Sequence, residues 1–255
     1  MINYFAFISL FSFITCICLA VYVYFKNVLY VYNNKKEKLF VLLCLSLAFC
    51  WALIEFGYRS ASNFETADLW LKLNVSWYFV LSFLLHFILI YTENYKYLKK
   101  RRIYFFIYGP AIIFCLLDST TSLLYTQPVK LSWGWSYGFP ENAIIYTVSS
   151  SWAAIIGILC LIIIIRYVIL KKIFKTKYSQ KYGLIGLIIP IMIGLNTEYL
   201  FPLIKISMPE LIVPELTLGF IILWYSTWVY HPINKEEKYC HIRSEVDKLF
   251  SIQRF

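Results

Sequence analysis

Apolar residues in this chain are gathered into repeated blocks, and the charged residues lie in short clusters between them. The blocks run to about 17–25 residues, the length that carries a helix across a hydrocarbon core of about 30 Å. Reading from one charge cluster to the next predicts seven helices, over Ile2–Tyr24, Leu39–Phe56, Trp70–Tyr91, Ile103–Leu117, Ala143–Leu170, Gly183–Phe201 and Val213–Tyr230. The expected fold class is therefore all-α, a polytopic seven-transmembrane-helix bundle. It divides into a membrane domain over 1–230 and a short cytoplasmic helical tail over 231–255. No basic residue precedes the first block and no small-x-small cleavage site follows it, so it is expected to stay in place as a span.

Composition agrees with this pattern. Hydrophobic residues make up 60% and aromatic residues 20% of 255 positions, outside the range of soluble globular chains. The formal net charge of +10 would suit a nucleic-acid binder only if it formed a continuous stripe, and here it is broken up between the blocks. Those clusters set the orientation. Lys26, Lys35, Lys36 and Lys38 follow the first span, Lys96, Lys99, Lys100, Arg101 and Arg102 the third, and Lys171, Lys172, Lys175, Lys177 and Lys181 the fifth. The alternate connections hold only Arg59, Lys72, Lys130 and Lys205. By the positive-inside rule the N-terminus is outside and the C-terminus is cytoplasmic, and the expected location is the cell membrane.

Chemistry enters through the few polar residues near the spans, because ionisable groups inside a bilayer are costly and mark cavities, pathways or pairs. Glu55, Glu198 and Glu215 all fall toward the outer level, as does Asp118, with Arg59 one turn beyond Glu55. Asn74 and Asn196 add amides at similar depth. The long outer loop, DSTTSLLYTQPVKLSWGWSYGFPEN, is expected to fold back over the outer mouth as a lid. Trp133 and Trp135 in it are either ligand contacts or interfacial anchors. The expected ligand pocket is thus Glu55, Arg59, Asn196, Glu198, Glu215, Trp133 and Trp135. For each acid the plainer alternative is snorkelling to the headgroups or a structural ion pair. His86 lies far from this level and reads as a hydrogen-bonded core residue. Pro110 and Pro190 should kink their helices, and Gly183, Gly186, Gly194 and Gly157 permit close helix approach.

The chain contains no HExxH or GxxxxGK[ST] stretch and no Gly-rich nucleotide loop, and no lysine in the seventh block for a Schiff base. No catalytic activity, cofactor or metal site is expected. Six of the seven cysteines fall inside apolar blocks, without metal-ligand spacing.

After His231-Pro232 the tail begins with Asn234 and Glu237, the spacing of a capping box. Tyr239, Ile242, Val246 and Leu249 follow at steps of three and four, which makes a short seam for pairing with another copy or with a separate kinase. The alternative is an amphipathic helix on the inner membrane surface.

The second block LSLAFCWALIEFGYRSA, the third-span stretch WLKLNVSWYFVLSFLLHFILIYTENYK, the Gly-Pro of the fourth, SQKYGLIGLIIPIMIGL and the Pro-initiated seventh together resemble the N-terminal seven-helix sensor region of bacterial and archaeal histidine kinases. The resemblance implies a receptor-like module of a two-component system that detects an external or membrane cue, a small ligand or a physical signal, and relays it through the last helix. It also implies cytoplasmic kinase domains, which the tail is too short to hold. The chain is then expected to be a detached sensor or a product cut short of its kinase. A small permease or transporter subunit is the alternative, although no internal repeat with paired broken helices is apparent.

Overall fold

The computed structural model describes residues 3–25, 35–92, 94–121, 123–124, 127–138, 143–171, 178–201, 209, 211 and 213–225. The described residues form helices α1 (Tyr4–Phe25), α2 (Lys35–Ser60), α3 (Phe64–Leu73), α4 (Trp77–Tyr91), the single turn α5 (Tyr95–Leu98), α6 (Arg101–Thr120), α7 (Ala143–Lys171) and α8 (Tyr178–Leu195). A further apolar helix, α9, covers Val213–Tyr225. Strands β1 (Pro128–Leu131) and β2 (Gly134–Tyr137) make one antiparallel hairpin between α6 and α7.

Among the described residues, five stretches are long and apolar enough to cross a bilayer: Tyr4–Phe25, Val41–Ser60, Phe64–Tyr91, Arg101–Thr120 and Ile144–Leu170. Two shorter apolar helices, Gly183–Leu195 and Val213–Tyr225, complete a helical membrane bundle. The outward faces are apolar too. Phe105, Phe106 and Ile113 of α6 and Ile155, Ile162 and Ile169 of α7 are exposed, as expected where lipid rather than water is the solvent. The main core joins α1, α2, α4, α7, α8 and α9 through residues such as Leu45, Ile88, Cys160, Ile164, Leu187 and Leu223.

The third apolar block starts earlier than its hydropathy suggests. Its first turns carry Glu65, Asp68 and Lys72, yet they are helical because Asn63 caps the end by accepting from the Thr66 N–H at 2.9 Å, and Lys72 pairs with Asp68 one turn back at 2.8 Å. The helix then tightens into a 3-10 turn over Asn74–Ser76 before α4.

The hairpin lies against one end of the bundle. Gly134 follows the Ser132-Trp133 turn at φ +115°, a conformation that side chains strain to adopt. It also packs so closely that an added Cβ would meet the Arg59 carbonyl at 2.8 Å. Trp135 donates its indole N–H to the Ala61 carbonyl at 2.9 Å and meets Phe64 edge-on. Asn3 ties the first helix to the same place. Its Oδ1 accepts from the N–H groups of Phe5 and Ala6, capping α1, while its Nδ2 donates to the carbonyls of Arg59 at 3.0 Å and Trp133 at 2.9 Å.

Small residues bring helices into contact elsewhere. A Cβ on Gly186 of α8 would stand 2.8 Å from the Gly219 carbonyl of α9, and one on Gly219 would run into the Gly186 carbonyl, so the two backbones touch. Pro110 and Pro190 both lie inside helices, and the α8 path ends in a π turn over Asn196–Leu200. Three residues before Pro110, the Ile107 carbonyl accepts from the Ser82 hydroxyl at 2.7 Å, which holds α4 against α6. His86 shares a 2.7 Å hydrogen bond with the Tyr108 hydroxyl on the same interface.

Candidate functional site

Inside the bundle, at the hairpin end, lies a cavity of about 180 Å³. Its polar part is made by Lys72, Asn74, Tyr78, Asp118, Tyr137, Tyr146 and Ser150. Its apolar part is made by Leu81, Leu84, Ala153, Gly157, Pro190 and Ile191, with Trp51 from α2 and Leu216 from α9 completing the wall.

The local chain geometry explains how these groups converge. Asn74 and Tyr78 are four residues apart across the 3-10 turn, and Tyr146 and Ser150 are four apart on α7, so each pair lies on one helical face. Asn74 is 8% exposed, and its Oδ1 has no hydrogen-bond partner among the described residues. Tyr78 is held by rings, with Trp77 at 4.1 Å, Phe114 at 5.8 Å and Trp152 at 6.4 Å between centroids. Its hydroxyl is in hydrogen-bonding reach of both Asp118 and Ser149. Asp118 is half-buried in the last turn of α6, and no described lysine or arginine pairs with it. Lys72, at the rim, is already paired with Asp68 and its side chain is largely exposed. Gly157 lets α8 approach, since a Cβ there would meet Leu195 Cδ2 at 2.9 Å. Among the described residues, no group of three or more His, Cys, Asp or Glu could hold a metal ion.

Of the residues expected to line an outer pocket, Glu55, Arg59, Asn196, Glu215, Trp133 and Trp135 are not among the described residues on the wall of this cavity. Glu55 and Arg59 form a 2.7 Å ion pair one turn apart on α2, both buried, and Ser9 of α1 donates to the same Glu55 Oε1 at 3.0 Å. The Arg59 guanidinium also lies 5.8 Å from the centre of the Phe5 ring. Glu215 is buried in the first turn of α9, and its Oε2 has no partner. Asn196 donates to the Met192 carbonyl of its own helix at 2.6 Å. Glu198 is in the π turn, with its side chain outside the described residues. Trp133 is in the hairpin turn, its indole nitrogen buried without a partner, and Trp135 is docked on Ala61 and Phe64. The tail positions Tyr239, Ile242, Val246 and Leu249 lie outside the described residues.

Sequence reading passed over Tyr78, Tyr146 and Ser150. The signal that could have found them is the four-residue spacing of Asn74 with Tyr78 and of Tyr146 with Ser150, two polar pairs on single faces of otherwise apolar helices.

Comparison with curated proteins and with solved structures returns no match. Comparison with protein families does: residues 8–234 match the family described as the N-terminal 7TM region of histidine kinase. That family is the membrane part of these kinases, and the match takes in no kinase core. With nearly the whole chain matched and a multi-pass helical bundle behind it, this protein belongs to the family of N-terminal seven-transmembrane regions of histidine kinases.

Proposed function

We propose that the chain is the sensory module of a two-component type signalling system, that it spans the cell membrane with the hairpin end outside, and that a cue acting at the cavity is relayed along the last helix. The observation that carries this reading is the make-up of the cavity wall. Leu216 of α9 lines the same space as Asn74, Asp118 and Tyr146, so an occupant would touch the helix that leads toward the tail. A ligand shifts a conformational equilibrium only through different affinity for its two states, and a shared wall supplies such a difference.

Within this reading, the membrane domain over 1–230 detects and the tail over 231–255 transmits. The Tyr239, Ile242, Val246 and Leu249 seam pairs with another copy or with a separate kinase. Glu55, Arg59, Trp133 and Trp135 serve the cue indirectly by fixing the hairpin and the first two helices. Glu215 is the charged group on the relaying helix. The π turn with Asn196 and Glu198 gives α8 a local irregularity of a kind that recurs at functional sites.

The test uses the full chain, free of native cysteines, in lipid nanodiscs with spin labels at Ser132 and Leu218, both exposed positions. A cue that binds should change the distance distribution between the hairpin turn and α9. Uptake of a labelled solute by the same protein in sealed liposomes would instead make it a permease and overturn the sensor reading.

A further inference from the structure

The cavity carries a chemical signature for its occupant. Asp118 brings a carboxylate to the cavity wall near the Tyr78 hydroxyl, with no described lysine or arginine in pairing distance. It stands in the last turn of α6, where the helix macrodipole already disfavours negative charge and favours a cation. Lys72, the lysine on the wall among the described residues, is engaged by Asp68 at 2.8 Å. Asn74, nine-tenths buried on the same wall, has an amide oxygen with no partner, and an unpaired buried polar atom costs stability unless something arrives to satisfy it. Rings of Trp77, Tyr78, Tyr137 and Tyr146 line the space, and aromatic faces attract organic cations. Leu81, Leu84, Pro190 and Ile191 then offer an apolar floor.

We infer that this cavity binds a small organic ammonium compound, its charged head between Asp118 and Asn74 among the aromatic rings and its hydrocarbon body on the apolar floor. The cavity of about 180 Å³ is smaller than the roughly 300–1,000 Å³ that holds drug-sized ligands, so the occupant is a monoamine with one ring or a short alkyl chain. An inorganic cation would leave the floor empty, and an anion would face Asp118 without an ion-pairing cation among the described residues. The inference rests on the sensor reading for its biological meaning and on the cavity alone for its chemistry.

Phenethylamine, phenylacetate and potassium are the probes, applied to the full chain in nanodiscs and read by thermal unfolding and tryptophan fluorescence. Phenethylamine should raise the unfolding midpoint saturably, with no saturable rise from phenylacetate or potassium. Asp118→Asn should weaken phenethylamine binding at least about tenfold, the loss expected for one charged hydrogen-bonding partner, and Asn74→Ala should weaken it less. Equal stabilisation by phenethylamine and phenylacetate, stabilisation by potassium alone, or no response at all would overturn the inference. Because that comparison is made in the unmodified protein, it stands even if a variant fails to fold. Saturable phenethylamine binding without movement of α9 would keep the site and sink the sensor reading. Movement of α9 driven only by an uncharged or anionic cue would do the reverse.

Discussion

Glu55 and Arg59 face each other at 2.7 Å across one turn of α2, both almost wholly withdrawn from solvent. The pair is braced from α1 by both the Ser9 hydroxyl and the Phe5 ring. Removing one partner leaves the other buried without its ion-pair counterpart. Glu55→Gln or Arg59→Met should each destabilise the fold by about 3–5 kcal/mol, whereas the double variant carrying both of these changes should cost clearly less than the sum. Thermal unfolding of the four proteins in one detergent closes the cycle, and additive losses would show that the pair does not act as a unit.

Glu215 is the opposite case, a buried acid in the first turn of α9 with a carboxylate oxygen that nothing among the described residues satisfies. Its replacement by a chain of similar length without charge, Glu215→Met, should raise stability by about 1–3 kcal/mol. A lower unfolding midpoint in that variant would mean the carboxylate has a stabilising partner.

The glycines divide by what surrounds them. Gly186→Ala or Gly219→Ala would press a methyl group into a backbone carbonyl of the neighbouring helix and should cost about 1–3 kcal/mol. Gly109→Ala should be neutral or add up to about 1 kcal/mol, since a Cβ there meets only Phe105 at 3.6 Å and alanine is the better helix former. Equal effects at the three sites would remove close packing as the reason for glycine at the α8–α9 contact.

Orientation can be read with reporter fusions. Lys96, Lys99, Lys100, Arg101 and Arg102 gather where α4 hands over to α6, at the end opposite the hairpin. A fusion after Lys100 should report cytoplasm and one after Tyr137 the exterior. The reverse result would turn the bundle over and put the cavity on the cytoplasmic side.

The helices were readable because a bilayer demands runs of apolar residues long enough to span it, and little else in a sequence produces them. The start of α3 was hidden because its charges look like a loop until the Asn63 cap and the Lys72–Asp68 pair are seen to support helix. The hairpin was hidden as well. Its strands are four residues long, with proline opening one and glycine the other, so no alternation could develop. For the candidate site, charge and depth drew attention to Glu55, but whether an acid is free depends on partners, and Ser9 is 46 positions away in sequence. Tyr78 and Tyr146 were obscured by abundance, as two aromatic residues in a chain where one residue in five is aromatic.

The side chain of Asn3 couples two openings that would otherwise be independent. Lifting the hairpin from the bundle breaks its bond to the Trp133 carbonyl, and the amide that also caps α1 then loses an anchor. Hairpin release and fraying of the first turn therefore share part of one free-energy cost. The backbone amides of Phe5 and Ala6 become reporters: their hydrogen exchange should quicken whenever the hairpin lifts, and slow whenever something holds it down.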